Sequence, residues 1–139
     1  MPFVFSLLPS LIRATVVSYD GLYDNPNTSL NTVACSDGSN GMLTRGYTTF
    51  GSLPKFPYIG GFVGVADWNS PNCGSCHQLT FTNTTSGVTR RINVLAIDRT
   101  DSGYNIALEA MDALTGGQGK ALGRVAVAEA SVSPSVCGL

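Results

Sequence analysis

The amino-acid sequence predicts a small, mostly β barrel with a few short helices. Three observations lead to this fold class. Several short segments alternate apolar and polar residues, glycine-rich turns separate these segments, and one segment has helical periodicity. The length of 139 residues is typical of a single domain. Short strands with glycine-rich turns and one good helix are the pattern of a small barrel.

The first fifteen residues are apolar, but they are too few to span a bilayer and Pro9 interrupts them. They contain the apolar region of a signal peptide without its basic start. We therefore predict a signal-peptide remnant or leader at residues 1–15 and a folded domain at residues 16–139. The alternatives for the first segment are a vector-derived leader and a native strand.

Strands are predicted along the rest of the chain by alternation and by β-branched residues. The segments "HQLTFTN" and "VTRRINVLAID" flank "TTSG", which predicts a hairpin with Gly87 in its turn. Within the second segment, Ile92–Ile97 is almost continuously apolar and should be a central strand buried on both faces. The other predicted strands are Val16–Asp20, Phe62–Trp68 and Arg124–Val132.

One helix is predicted after the central strand. Asn105 is placed to cap its first turn, and Gly116 and Gly117 are placed to end it. Five apolar residues fall on one face at helical spacing: Ile106, Ala107, Ala110, Met111 and Leu114.

The charge of the chain is low. Charged residues make up 12% of the sequence and the net charge is −1, whereas about 25% charged residues is usual. Without a basic patch or run, there is no electrostatic basis for binding nucleic acid or an anionic membrane. We therefore expect neither a nucleic-acid partner nor membrane insertion.

Four cysteines in a short chain with an export-like N-terminus favour two disulfides. Three connectivities are possible among Cys35, Cys73, Cys76 and Cys137. A bond from Cys73 to Cys76 would close a small ring and constrain little of the unfolded chain. Bonds between distant cysteines would each close a long loop, worth about 4 kcal/mol in the chain-entropy description. Stability therefore favours long-range pairing.

The close pair Cys73 and Cys76, followed by His77, also has the spacing of three other kinds of site. A thioredoxin-type pair requires a helix after the second cysteine, but the residues that follow alternate as a strand. Covalent haem would leave two thiols unused, and a four-cysteine zinc site would need a second close pair. We therefore predict an ordinary strand residue at His77, and no metal or organic cofactor is implied.

Six long motifs follow one another in order along the chain and end at the terminal "CGL". They are "VSYDGLYDN", "SLNTVACSDGSNG", "GYTTFGSLPKFPYIGG", "WNSPNCGSC", "INVLAIDRTDSGYNIALEAMDALT" and "LGRVAVAEASVSPSVCGL". Together they resemble the cerato-platanins, which are small secreted fungal proteins. The resemblance covers about residues 16 to 139, essentially the whole of the predicted domain.

The resemblance implies a six-stranded double-ψ β-barrel, related in shape to expansin domains, barwin-type defence proteins and some endoglucanases. It also implies the disulfides Cys35–Cys73 and Cys76–Cys137. The sequence departs from the family at His77, where an aromatic or polar residue is more common.

Two acidic residues, Asp20 in "SYD" and Asp98 in "AID", end predicted strands and should face a groove. A pair of carboxylates at a set separation could act as acid and base in glycoside hydrolysis. The resemblance instead implies a groove in proteins that are not established hydrolases, so we assign no catalytic residue. Asp98 would then bind a sugar hydroxyl, with Asp20 assisting. The structural alternative is that both carboxylates only bind backbone N–H groups of loops.

A sugar-binding groove also needs aromatic faces for pyranose rings and directed polar groups for hydroxyls. The candidates are Tyr19, Tyr47, Trp68, Asn69 and Asn105. Three of them have a structural alternative: Trp68 could lie in the core, Asn105 could cap a helix, and Tyr19 could plug the barrel.

The resemblance implies a secreted protein of the fungal cell wall that binds chitin or N-acetylglucosamine oligomers without cleaving them. Cellulose is a further candidate ligand, with expansin-like wall loosening. The resemblance also implies elicitor activity toward plants, which would require a plant receptor. It further implies a monomer that can self-assemble at interfaces. The competing hypotheses are a weak endoglucanase or lytic transglycosylase and a surface-active wall protein. The N-glycosylation patterns at Asn27 and Asn83 carry little weight.

Overall fold

Apolar residues on alternate strand positions line a closed barrel in the computed structural model, which describes residues 11–139. The helices of this region are α1 (Leu108–Thr115) and α2 (Gly119–Leu122). Short 3-10 helices lie at Gly21–Asp24, Leu30–Thr32, Phe50–Ser52 and Pro134–Cys137. The six strands are β1 (Arg13–Tyr19), β2 (Ile59–Phe62), β3 (Cys76–Thr82), β4 (Thr89–Arg99), β5 (Tyr104–Ile106) and β6 (Arg124–Val132).

The strands are paired in the order β1-β5-β2-β4-β3-β6, and β6 closes the barrel on β1. The pairs β1–β5 and β2–β4 are parallel, and the other pairs are antiparallel. A closed barrel leaves no unpaired sheet edge that could template association with another chain. The predicted fold class, a six-stranded double-ψ β-barrel with short helices and two disulfides, is confirmed.

Three strand predictions are confirmed. β6 has the predicted bounds, and β3 and β4 form the predicted hairpin, with Gly87 at a φ of 74° in its turn. Ile92–Ile97 lies within β4 and is buried except for the half-buried Asn93. β1 begins at Arg13, inside the last three positions of the predicted leader. Residues 1–10 of that leader lie outside the described residues, so the domain boundary stays a prediction.

The predicted strand Phe62–Trp68 is wrong. The strand here is β2, which ends at Phe62, and a turn follows in which the amide of Val65 donates to the carbonyl of Phe62. The sequence misleads because Gly60 and Gly61 resemble a turn. A side chain on Gly60 would collide with the backbone carbonyl of Asn105 in β5. Glycine is therefore required because two strands approach closely there.

The helix prediction is correct in its C-terminal end and wrong in its start. Gly116, at a φ of 68°, terminates α1 as predicted. However, Asn105 and Ile106 belong to β5, a strand that the sequence analysis missed. The cap comes from a distant residue: the carboxylate of Asp24 accepts the N–H groups of Leu108 and Glu109 at 2.7 and 2.9 Å. The short helix α2 was also missed.

Both disulfides join distant parts of the chain, Cys35 to Cys73 and Cys76 to Cys137. The pairing that the resemblance implied is therefore confirmed. Because Cys73 and Cys76 bond to different partners, the close pair is a junction between two crosslinks and not a redox site. Within residues 11–139, no helix has the length and apolar character needed to cross a bilayer.

Candidate functional site

A row of half-buried polar side chains crosses four neighbouring strands of the barrel. Ser18 in β1 is paired with Asn105 in β5, Asn105 with Gly61 in β2, and Gly61 with Asp98 in β4. Residues paired across strands project from the same face of a sheet. Gly61 contributes no side chain to the row, and a Cβ there would meet the backbone of Arg99 and the side chain of Thr100. We call Ser18, Asn105, Gly61 and Asp98 the polar row.

Asp98 is held by three internal donors. Its Oδ1 accepts the N–H groups of Ala34 and Arg99 at 3.1 and 2.8 Å, and its Oδ2 accepts the hydroxyl of Tyr23 at 2.8 Å. Burial, followed by the charges of Asp98 and Asp20, raises the pKa of Tyr23, so its hydroxyl stays protonated and donates. These contacts match the structural interpretation of Asp98, in which the carboxylate ties the Ala34 loop to the barrel.

Asp20 follows β1 and is exposed. Its carboxylate accepts the N–H of Leu22 at 2.9 Å and so caps the 3-10 helix that begins at Gly21. Its charge contributes to the raised pKa of Tyr23, so Asp20 and Asp98 influence the same phenol. Both oxygens of Asp98 already accept internal bonds. These three bonds give the Asp98 carboxylate a structural role in the fold.

Asn105 has a free donor. Its side-chain oxygen accepts the hydroxyl of Ser18 at 3.1 Å. Its side-chain nitrogen donates no hydrogen bond within the described part of the chain, and the residue is half-buried. The interpretation of Asn105 as a helix cap is wrong because Asp24 performs that function. The amide nitrogen is therefore available to an acceptor outside the protein.

Trp68 lies at the surface with 58% of its area exposed, so its interpretation as a core residue is wrong. Its indole N–H donates to Asp37 at 2.6 Å, and the ring lies against Gly38. Asn69, at a φ of 58°, binds Asn40 through both its side-chain oxygen and its backbone carbonyl.

Two backbone contacts connect this loop to the polar row. The N–H of Asn69 donates to the carbonyl of Ala34 at 3.4 Å, and the N–H of Ala34 donates to Asp98. Trp68 therefore stands on a loop that is coupled to one end of the row through Ala34.

The structure does not bring the two candidate tyrosines into the row. Tyr19 shares a face of β1 with the buried Val17, opposite to Ser18, and packs against the core. This placement agrees with the interpretation of Tyr19 as a barrel plug. Tyr47 is partly buried against the core in the loop before Phe50, and no hydrogen bond within residues 11–139 ties it to the row.

The sequence analysis missed a polar cluster inside the barrel. His77 in β3 is 3% exposed, and its Nδ1 lies 3.0 Å from Oε1 of Glu129 in β6. Its Nε2 lies 2.7 Å from the hydroxyl of Ser75. The rings of Phe62 and Tyr104 pack around it, with centroids 4.3 and 5.3 Å from the imidazole.

The alternation of side chains along the strands contains a signal for this cluster. His77 is two residues from the buried Leu79, and Glu129 is two residues from the buried Val127, so each side chain points to the inside of the barrel. A neutral His77 with its proton on Nδ1 donates to the Glu129 carboxylate. Its Nε2 then faces the Ser75 hydroxyl, whose single proton has a second acceptor, the carbonyl oxygen of Asn72 at 2.7 Å.

The His77–Glu129 pair predicts a pH dependence of stability. Burial lowers the pKa of His77 below its ordinary value, and Glu129 opposes this shift only in part. The unfolded chain therefore takes up the histidine proton at a higher pH than the folded chain. We expect the free energy of unfolding to fall as the pH drops below about 6.5, by at most about 1.4 kcal/mol per pH unit for this proton.

Urea denaturation between pH 7.5 and 5.0 measures this effect, with His77→Gln as the matched variant because glutamine does not titrate. The difference in stability between the two proteins should change across this range. A constant difference at all pH values would contradict the prediction.

Comparisons with known proteins agree with this architecture. The protein-family model described as cerato-platanin matches residues 15–139. The heat-stable 19 kDa antigen of Coccidioides immitis is 45% identical over 135 residues, which cover 97% of this chain and 88% of that protein.

Two solved structures extend the comparison. The crystal structure of cerato-platanin 2 from M. perniciosa superposes with a TM-score of 0.87 at 48% identity, covering 91% of this chain and 100% of that one. The solution structure of the fungal elicitor cerato-platanin has a TM-score of 0.75 at 34% identity and covers 88% and 95% of the two chains. The match of the family model over nearly the whole described region, together with these identities, shows that this chain belongs to the cerato-platanin family.

Proposed function

We propose that this chain is a secreted, non-catalytic carbohydrate-binding protein of the fungal cell wall that binds chitin or N-acetylglucosamine oligomers. The observation that carries the proposal is the polar row, in which the free amide nitrogen of Asn105 and the carboxylate of Asp98 flank Gly61. A sugar polymer displays hydroxyl and acetamido groups that both donate and accept. Such a ligand matches a row that offers one donor and one acceptor on either side of a glycine.

The exposed ring of Trp68 supports the proposal as a stacking platform. Because its indole N–H is already bound to Asp37, its orientation is restrained, and most of its area is exposed. Aromatic rings of this kind contact the apolar face of pyranose rings. The link from the Trp68 loop through Ala34 to Asp98 would hold the platform in a constant relation to the row.

The remaining parts of the proposal have separate support. Two disulfides are usual in proteins that leave the reducing cytosol, which favours secretion. Elicitor activity toward plants, through a plant receptor, is proposed because one similar structure is that of a fungal elicitor. Cellulose binding with wall loosening is proposed as a consequence of the same groove, through competition with hydrogen bonds between polysaccharide chains.

Replacement of Asn105 by alanine tests the sugar-binding role. The side chain makes one internal hydrogen bond, to Ser18, so the fold should survive. We expect affinity for chitotetraose to fall about fivefold, because one hydrogen bond to the ligand is worth about 1 kcal/mol. An NMR titration that follows each backbone amide measures this loss.

Asn93→Ala is the matched control, since Asn93 is also a half-buried strand asparagine but lies outside the row. Equal affinities of Asn105→Ala and the unchanged protein would contradict the assignment, as would an equal loss in the control. Release of new reducing ends from chitin or cellulose would instead establish the alternative, a polysaccharide-cleaving enzyme. Growth of particle size in light scattering would support self-assembly at an interface as a separate property.

A further inference from the structure

One mouth of the barrel holds a cavity of about 550 Å³ that the polar row does not share. Its walls come from β1, β2, β5 and β6 and from residues that follow β2. The strand register places the inward side chains of β1 and β6 together, because Arg13 is paired with Glu129. The polar lining residues are Arg13, Thr15, Tyr104, Glu129 and Ser131.

The carboxylate of Glu129 lies in this cavity without a permanently charged partner. The residue is 7% exposed, and within residues 11–139 its ion-pair contact is with His77. Burial favours the neutral form of that histidine. Arg13 faces Glu129 across the strands but is exposed and makes no ion pair with it in the described part of the chain. A buried carboxylate is costly unless a cation or several donors compensate it.

A second group in the cavity also lacks a partner. Tyr104 is 2% exposed, and its hydroxyl makes no hydrogen bond to any residue in the range 11–139. The Glu129 carboxylate is close enough to influence this hydroxyl, but no hydrogen bond of standard geometry joins them. Burial, followed by the charge of Glu129, raises the pKa of Tyr104, so the phenol is neutral and its oxygen lone pairs are available. Buried hydroxyls without partners are rare in proteins.

We propose that this cavity binds a primary ammonium group carried on a small apolar body. The three N–H donors of such a group match three oxygen acceptors in the lining, on Glu129, Tyr104 and Ser131. Ser131 is two residues from Glu129 in β6 and therefore lies on the same face. The side chains of Phe62 and Val63 form an apolar wall for the rest of the ligand. The ammonium supplies the charge that the buried carboxylate lacks.

Benzylammonium and benzyl alcohol are matched probes, since they share size and ring and differ in charge. NMR titration of the full chain should give saturable shifts at Tyr104, Glu129 and Ser131 with benzylammonium. We expect binding of benzyl alcohol to be at least about tenfold weaker, because a hydrogen bond to a charged group is worth more than a neutral one. Glu129→Gln should weaken benzylammonium binding by at least about the same factor.

Two further variants separate the contributions. Tyr104→Phe retains the ring and removes the hydroxyl, so it should weaken benzylammonium binding. This variant tests the site independently if Glu129→Gln fails to fold. Arg13→Met removes a cation that lines the cavity and would repel the ligand, so it should strengthen binding. Equal affinity for both probes, unchanged affinity in Tyr104→Phe, or loss of binding in Arg13→Met would overturn the proposal. Chitotetraose binding should be unaffected by these variants, so the two proposed sites can fail separately.

Discussion

Replacing Cys76 and Cys137 together by alanine will lower the free energy of unfolding by about 4 kcal/mol. The bond joins residues 61 positions apart, and in the chain-entropy description a loop of this length loses about that much conformational freedom when it is closed. Domains are typically stable by only about 5 to 15 kcal/mol. The loss should therefore remove a large share of the total stability. Urea denaturation of the variant and the unchanged protein measures it.

The second disulfide provides an internal comparison. Cys35 and Cys73 are 38 positions apart, so their replacement should cost slightly less by the same description. Both bonds are buried, and loss of packing adds to each effect. A cost below about 1 kcal/mol for the Cys76–Cys137 variant would show that the unfolded chain is not appreciably constrained by this crosslink.

The change Asp98→Ala will lower the free energy of unfolding by about 3 kcal/mol. The substitution removes the acceptor of three donors, one of which is the hydroxyl of the buried Tyr23. A hydrogen bond to a charged group contributes about 1.5–3 kcal/mol, and a buried donor left without a partner costs about 1–3 kcal/mol. The loop at Ala34 also loses one of its contacts with β4, although the N–H of Cys35 still donates to the carbonyl of Ile97. Thermal and urea denaturation should both show the loss.

Asp20→Ala is the control for this prediction. Asp20 is an exposed carboxylate with one internal side-chain bond, to the N–H of Leu22, so its replacement should cost no more than about 1 kcal/mol. Similar losses in the two variants would contradict the structural importance of Asp98. Because Asp98 supports the fold, lost sugar binding in Asp98→Ala could result from unfolding, and Asn105→Ala is the cleaner test of the polar row.

Most strands and the crosslinks were predictable because their signals are local or are carried by long motifs. The alternation in Arg124–Val132 and in the hairpin around Gly87 depends only on which residues can face a core, so β3, β4 and β6 follow from the sequence. The six ordered motifs identified the family, and the family implied the disulfide pairing. Gly116 ended the helix as predicted because a left-handed cap is a local requirement.

The predictions that failed concern polar side chains whose partners are distant in sequence. Asn105 precedes the predicted helix and so resembles a cap, but Asp24, 84 residues before Leu108, supplies the carboxylate. Trp68 is the only tryptophan and stands near a disulfide cysteine in the sequence, which suggested a core position, but it lies exposed beside Asp37.

The order of residues alone is enough to identify this chain as a disulfide-linked barrel of the cerato-platanin family and to place most of its strands. The folded structure is needed to show which polar groups meet: Asp98 with Tyr23, His77 with Glu129, and Asn105 with Ser18. Strand alternation depends on local spacing. The neighbours of a side chain across the barrel depend instead on the register at which six strands close, and local spacing does not contain that information.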